Sequence, residues 1–521
     1  MFSEIKKNRL LINFFKISSG TLVSRILGFV RELVVAFYFG TTKYMDAFVY
    51  AFTIPNLFRR ILGEDMVERG LMPPVKAFLA KDEKNKASNL VSSLFNIMFV
   101  VLIILMLLLY IAAPILVKLI APAVEKETFD IILKFTYVIL PFMVFIGMAA
   151  FAGGLLNILE MNIIYSFAPV MLSIGVIVSL VFFRPVFGNY ALTAGFLLGA
   201  LLQFLVQVPF LLHKRVKERT GLSYRLNFNI EGRSRKKIKK ESIFIALQSI
   251  LNKSVELVDK ILASFLLTGS ISGLYYSQRL VQLPNAIIGL AISRSITPYL
   301  TEKNAVDNLD DFKKGILYGI KFNLSIILPI MALSIILRNE IIYIIFKRGD
   351  FTLNSVFLTS LPFWCHMIGL PAMSLNFLFS RGFSAIQRNK IPFYTAVFAT
   401  VLNIILSLIL VKTQLKHGGL ALSSSIAFTF NTLILYIMLN RFLAEKGVPI
   451  RLNDLFKPVL KILLGTAFFS VLVFFTSEFI KNSLFFKNNF NDFSLNLIIV
   501  CLTSAVGFLF YIMFNYIVKK Y

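Results

Sequence analysis

Residues Ser24 to Arg60 read SRILGFVREL, VVAFYFG, TTKYMDAFVYAFTIPNLFRR, and the reading of this stretch decides the fold. It is mostly apolar and long enough to cross a membrane twice, yet it carries Arg25, Arg31, Glu32, Asp46, Arg59 and Arg60. An ionised group near the bilayer centre costs about 2.5–3.5 kcal/mol even on the mildest insertion scale. Several together therefore imply a cavity that protein or water lines, here a positively charged one.

The surrounding chain supports a membrane setting. Its 521 residues are 57% hydrophobic with a mean hydropathy of +0.78, and apolar runs of about 20 residues recur from end to end. The runs are long and unbroken, unlike the alternating ten-residue segments of an outer-membrane barrel. The net charge of +27 does not point to nucleic acid, because Lys and Arg fall mainly in short loops between apolar runs, as the positive-inside rule requires. Cys365 and Cys501 both lie within apolar segments, which excludes a disulfide scaffold and a cysteine metal cluster. The N-terminal MFSEIKKNRLLINFFKISSG starts basic, but Lys16 interrupts its apolar part and no small-residue cleavage site follows. It is expected to stay as a cytoplasmic lead-in to the first helix.

Apolar runs separated by charged or turn-rich breaks give fourteen spans, near 11–40, 45–75, 88–120, 129–158, 161–184, 189–212, 241–268, 270–300, 312–338, 354–384, 391–412, 418–441, 456–480 and 494–518. The fold expected is thus an all-α integral membrane protein with fourteen transmembrane helices. The loop after the sixth span is the most basic, from Lys214, Arg215, Lys217 and Arg219 through Arg225 to Arg233, Arg235, Lys236, Lys237, Lys239 and Lys240. Lys76, Lys81, Lys84 and Lys86 follow the second span, while Arg184 to Asn189 and Thr268 to Ser270 are nearly uncharged. This pattern places both termini in the cytoplasm. No loop is long enough to bury a core of its own, and the basic one suits either anionic membrane lipid or a cytoplasmic partner protein.

A faint internal repeat divides the chain. Gly40, Pro55 and Asn56 recur as Gly269, Pro284 and Asn285, each shifted by 229 positions, and Arg31 falls opposite Lys260. Six spans separate the two copies, and six is even, so the halves share one orientation across an axis along the membrane normal. The expected organisation is an N-terminal lobe (1–212), the basic loop (213–240), a C-terminal lobe (241–441) and two further helices (442–521). Two six-helix lobes would face each other across a central cavity.

Candidate site residues follow from placement on helix faces. Ser24, Arg25, Gly28, Arg31 and Glu32 fall within an arc of roughly 120° on the first span. Asp46 lies near one end of the second span; Pro55 removes a backbone hydrogen bond further in, so Asn56 and a freed carbonyl supply polar contacts before Arg59 and Arg60. Those two arginines serve equally as headgroup anchors or as substrate ligands. Gln248, Asn252, Glu256 and Asp259 form a polar stripe on the seventh span, where Glu256 and Lys260 are an i,i+4 pair. On the eighth, Tyr275, Arg279 and Gln282 continue the pattern. An arginine-rich cavity suits an anionic substrate, and guanidinium matches phosphate or diphosphate with two parallel hydrogen bonds.

Covalent chemistry finds no support. His213, His366 and His417 lie far apart, and neither a Gly-Lys-Ser/Thr phosphate loop nor a nucleophile elbow occurs. A transporter without cofactor is expected, with the membrane potential available to drive it. Glu256 and Asp259 offer carboxylates to Na+ or H+, and the arginines offer Cl- a site; the choice of ion stays open.

SRILGFVRE, the following FG, MDAFVYAFTIPNLFRRI, LVDKILASFL, YYSQRLVQLPNAIIGLAIS and IIFKRGDFT resemble the MurJ (MviN) family of lipid II flippases through nearly the whole chain. The resemblance implies the fold of the multidrug/oligosaccharidyl-lipid/polysaccharide exporter superfamily. It implies flipping of the undecaprenyl-diphosphate-linked peptidoglycan precursor across the bacterial inner membrane by alternating access. Arg25, Arg31, Asp46, Arg59, Arg60 and Arg279 match charged positions tied to function in that family; the first arginines and Arg279 would hold diphosphate and sugars, and the last two spans would form a lipid-tail groove. Glu32 stands where many relatives have Asp, Gln282 where some have Glu, and RNKIP at 388–392 replaces a frequent DTKTP. Readings kept beside it are a flippase for another polyprenyl-diphosphate oligosaccharide and a non-transporting scaffold that recruits cell-wall synthesis proteins.

Overall fold

The computed structural model describes residues 23–214, 223–230 and 232–520. The N-terminal lead-in, the start of the first span, and Arg215, Lys217 and Arg219 of the basic loop lie outside the described residues. Everything described is helix, turn or extended connection, with no strand among the described residues. That follows from the medium: in hydrocarbon each backbone N–H and C=O must bond within its own segment.

Nine described helices are long and apolar enough to cross a membrane, from Lys84–Ile120 to Asp492–Phe514. A tenth arises if Leu353–Ile368 and Leu370–Ala385, bent by 44° at Gly369, count as one span. These ten coincide with the third to sixth and ninth to fourteenth spans. The remaining four, the first, second, seventh and eighth, are the ones that carry the charged candidate residues, and three of them are broken or polar along their length. The protein is a multi-pass membrane protein.

The chain divides into two compact units between Phe265 and Leu266. In the first, Gly232–Ala263 packs with the preceding helices, and a core of Val67, Leu71, Leu94, Met98, Met143 and Phe151 fills the interior. Helices Asn162–Val178 and Tyr190–Leu205 cross so closely that a Cβ on Gly175 would sit 2.3 Å from the Gly199 Cα. Without a hydrophobic drive between helices in lipid, such small-residue contacts supply the dispersion energy of packing.

In the second unit the main core comprises Leu300, Phe312, Ile316, Leu378, Phe383 and Leu439. Its last two long helices, Leu452–Asn482 and Asp492–Lys520, meet through Phe469, Val473 and Tyr511. Lys313 anchors the start of Leu452–Asn482, donating to Asp454 Oδ2 at 2.7 Å and to the Pro449 carbonyl.

Candidate functional site

The helix over residues 23–39 carries the first group of charges. Arg31 bonds its own neighbour, Nη2 to Glu32 Oε1 at 2.6 Å, and its guanidinium lies 5.4 Å from the Phe196 ring centroid. Phe196 belongs to an aromatic cluster with Phe48, Phe52 and Phe142, so the cation rests on a dry π face. Glu32 is only 3% exposed, and the buried Arg31 Nε has no hydrogen-bond partner. The pair lies within one helix, and through Phe196 the guanidinium also meets the Tyr190–Leu205 helix. Ser24 and Arg25 lie half-exposed a turn or two earlier, and a Cβ on Gly28 would meet nothing within 4 Å, leaving that face open. Arg184 closes the other end, donating to the Tyr38 carbonyl with its guanidinium 4.7 Å from the Tyr38 ring. A cation is favoured there by the carbonyl end of the helix.

After Gly40, whose φ of 48° makes the turn, the second span is not one regular helix. Lys43–Ala51 and Thr53–Phe58 are followed by π-helical turns at Arg59–Asp65 and Val67–Leu71. Pro55 accounts for the disruption, since it has no N–H to donate. Such turns widen the helix and re-aim its side chains, which is why they gather at functional sites. Asp46 is buried in the first turn of Lys43–Ala51.

One face of the broken span meets the Gly232–Ala263 helix, and here the charges converge. Glu256 accepts from Lys260 at 3.0 Å through Oε1 and from Lys253 through Oε2. Lys260 also donates to Thr53 Oγ1 at 2.9 Å, and Tyr50 donates its hydroxyl to the Lys260 carbonyl. Asn56 Oδ1 accepts from Arg59 Nε at 3.0 Å. Thr53, Asn56, Leu57, Lys253, Glu256 and Leu257 line a small pocket. Two lysines and an arginine thus gather around one glutamate at this pocket.

A separate network takes up Arg60. Its Nε lies 3.9 Å from Asp65 Oδ2, Arg69 approaches the other oxygen at 3.9 Å, and Ser249 Oγ donates to Asp65 Oδ2 at 2.6 Å. Adjacent Arg59 and Arg60 thus turn to different partners, one at the pocket and one at a neighbouring carboxylate.

In the second unit, Gly269 has a φ of 90° before Ser270–Pro284, and π-helical Asn285–Gly289 follows. Both copies of the repeat therefore share a positive-φ glycine and a Pro-Asn at the entrance to a π-helical stretch. Arg279 lies over the Tyr275 ring, 4.7 Å from its centroid, and donates to Gln282 Oε1 at 3.4 Å. Gly289 lets two helices approach closely: a Cβ there would fall 2.4 Å from Ser374 Oγ and 3.0 Å from the Ser374 Cα.

The structure thus places Asn56 and Glu256 on one pocket with Arg59 bonded to Asn56 beside it, pairs Arg31 with Glu32 and Arg279 with Gln282, and sets Arg60 near Asp65. Asp259 is half-buried on the same helix as Glu256, and the side chain of Asn252 lies outside the described residues. Lys253, Thr53, Asp65 and Ser249 were not among the sequence candidates. Their signal was present: Ser249, Lys253, Glu256 and Lys260 recur at spacings of four, three and four, one helical face beside the stripe read from Gln248.

Helices spanning a membrane, broken by π turns where cationic side chains converge, define a polytopic membrane transporter. The family model for the lipid II flippase MurJ matches residues 35–491. A Vibrio cholerae protein described as a probable lipid II flippase MurJ is 30% identical over 450 residues, covering 84% of each chain. Among solved structures, a lipid II flippase MurJ in an inward closed conformation aligns with a TM-score of 0.78 at 23% identity, covering 97% of this chain and 98% of its own. An inward-facing multidrug resistance MATE family transporter aligns with a TM-score of 0.69 at 15% identity, covering 83% and 98%. The two structural likenesses define the fold. The chain belongs to the MurJ lipid II flippase family.

Proposed function

We propose that this protein is the lipid II flippase of its host, moving the undecaprenyl-diphosphate-linked disaccharide-pentapeptide from the inner to the outer leaflet of the bacterial inner membrane by alternating access. Family membership supports the substrate. The observation within this chain that carries the reading is the gathering of Arg59, Lys253 and Lys260 around the small pocket that Thr53, Asn56 and Glu256 help to line. Ammonium and guanidinium groups set in an apolar surround are the donors that a diphosphate needs. A site for cationic drugs would carry the opposite excess of charge.

In this reading Arg25, Arg31 and Arg279 contact the diphosphate-sugar headgroup, Ser24, Glu32, Asp46 and Gln282 orient them, and Arg60 stays with Asp65 as a support. The helices Leu452–Asn482 and Asp492–Lys520 offer a groove for the lipid tail. Both termini lie in the cytoplasm, and the membrane potential supplies the drive, with Na+, H+ or Cl- as the candidate coupled ion. No covalent step is involved: the headgroup leaves chemically unchanged.

Depletion in the host, followed by rescue with variants, tests this. Depletion should leave lipid II on the inner leaflet, and alanine at Arg25, Arg31 or Arg279 should prevent rescue although the variant proteins still insert. Normal rescue by all three would refute the assignment of the headgroup site.

A further inference from the structure

Residues 223–230, the described part of the basic loop, form an extended strap along the first two turns and more of Lys84–Ile120. Ser88, Ser92, Ser93 and Asn96 make one polar row on that helix, each 4% exposed or less. They bind the strap's backbone directly: Ser88 Oγ donates to the Ser223 carbonyl at 2.8 Å, Ser93 Oγ to that of Asn229 at 2.8 Å, and Asn96 Nδ2 to that of Asn227 at 2.9 Å. In return, Arg225 N donates to Ser92 Oγ at 3.1 Å, and the Tyr224 hydroxyl to Asn96 Oδ1 at 2.9 Å. The loop is therefore seated at a fixed depth.

That depth follows from the helix it sits on. From Phe99 to Val117 the outer face is apolar, with Ile104, Leu108, Ile111 and Ile115 all at least half exposed, and exposed Lys118 ends it. At about 1.5 Å per residue this stretch is about 30 Å long, the thickness of a hydrocarbon core. The polar row at Ser88 to Asn96 thus lies just outside the core, in the headgroup layer. The strap displays Tyr224, Leu226 and Phe228 there, 62%, 78% and 52% exposed. Between 223 and 240 the chain has seven basic residues and one acidic one, and Arg225, Arg235, Lys236, Lys239 and Lys240 are exposed.

We propose that this strap and the basic turn following it form a binding site for anionic phospholipid, in which Leu226 and Phe228 dip into the headgroup–acyl boundary and the exposed Lys and Arg side chains hold lipid phosphates. Apolar teeth beside clustered cations are the pattern of an interfacial anchor, and each basic side chain near an anionic surface adds to the attraction. The charge selects lipid over a soluble protein, because the cations lie where phosphates already are. The inference rests on the membrane-spanning reading and is independent of the transported substrate.

Leu226→Trp provides the test, with Phe228→Trp as a second probe and the unmodified protein, whose single tryptophan is Trp364, as the baseline. Each protein is placed in mixed bilayers of phosphatidylcholine and phosphatidylglycerol, with bromine on the acyl chains of one lipid at a time. Brominated phosphatidylglycerol should quench the added tryptophan at least about twofold more than brominated phosphatidylcholine. Combining Arg235→Gln, Lys236→Gln, Lys239→Gln and Lys240→Gln should equalise the two. Equal quenching by both lipids before those changes would overturn the anionic site. Absence of quenching beyond the baseline in both probes would overturn the seating itself and leave the exposed residues to a cytoplasmic protein.

Discussion

Lys260 donates to the Thr53 hydroxyl at 2.9 Å, joining two helices whose residues here are 207 positions apart in sequence. The same ammonium holds Glu256 Oε1 at 3.0 Å, so one lysine links the broken second span to the polar face of Gly232–Ala263. Charged and polar contacts thus hold together a pocket whose lining also includes Leu57 and Leu257. Its stability and its ligand preference should therefore respond together to substitution.

Glu256→Gln keeps the shape and removes the charge that both lysines share. We expect a loss of stability of about 1–3 kcal/mol, the cost of leaving partly buried charged donors unmatched. Thermal unfolding of the purified variant measures it, and adding Lys253→Met should recover part of the loss.

Lys253→Ala should slow lipid II translocation about tenfold or more, corresponding to about 1.4 kcal/mol, while insertion stays normal. Lys253→Arg should retain most of the rate. A rate unchanged in the alanine variant would remove Lys253 from the substrate's path and leave it as a partner of Glu256 alone.

Two glycines separate packing from function. Gly175→Ala would place a Cβ 2.3 Å from the Gly199 Cα, backbone against backbone. It should cost about 1–3 kcal/mol or more and lower the amount of folded protein, as seen by size-exclusion profile after extraction. Gly28→Ala meets open space and should fold normally, gaining up to about 1 kcal/mol of helix stability.

An inside-negative potential should accelerate outward movement of the anionic headgroup, because each charge carried across 100 mV is worth about 2.3 kcal/mol. Imposing the potential and each gradient of Na+, H+ and Cl- separately on vesicles resolves the drive. Indifference to all of them would exclude coupling through Glu256, Asp259 or the arginines.

Much of this was legible in the sequence because the membrane makes charge conspicuous. Arg31, Arg59 and Arg279 stood out where ionised groups are costly, and the Gly40–Pro55–Asn56 repeat with Gly269–Pro284–Asn285 marked two of the places where the backbone turns π-helical. The pocket's exact membership was not legible. Whether Asn252 or Lys253 faces Thr53 depends on a rotation of about 100° about the helix axis, and both faces of Gly232–Ala263 carry polar residues. The Pro-induced break supplied a second obstacle, since widened turns shift the register that a regular wheel assumes. Nor could spacing foresee the seat of the strap, because Ser88, Ser92, Ser93 and Asn96 bind its backbone and leave no mark on the side chains they hold.

The most direct measurement is translocation of lipid II by the purified protein in sealed vesicles, compared with another polyprenyl-diphosphate sugar. The wild-type protein should move lipid II between leaflets well above the rate of protein-free vesicles, and Arg31→Ala and Lys253→Ala should fall back towards that rate. Lipid II movement no faster than in empty vesicles, or equal transport by wild type and both variants, would contradict a flippase built on these cationic side chains.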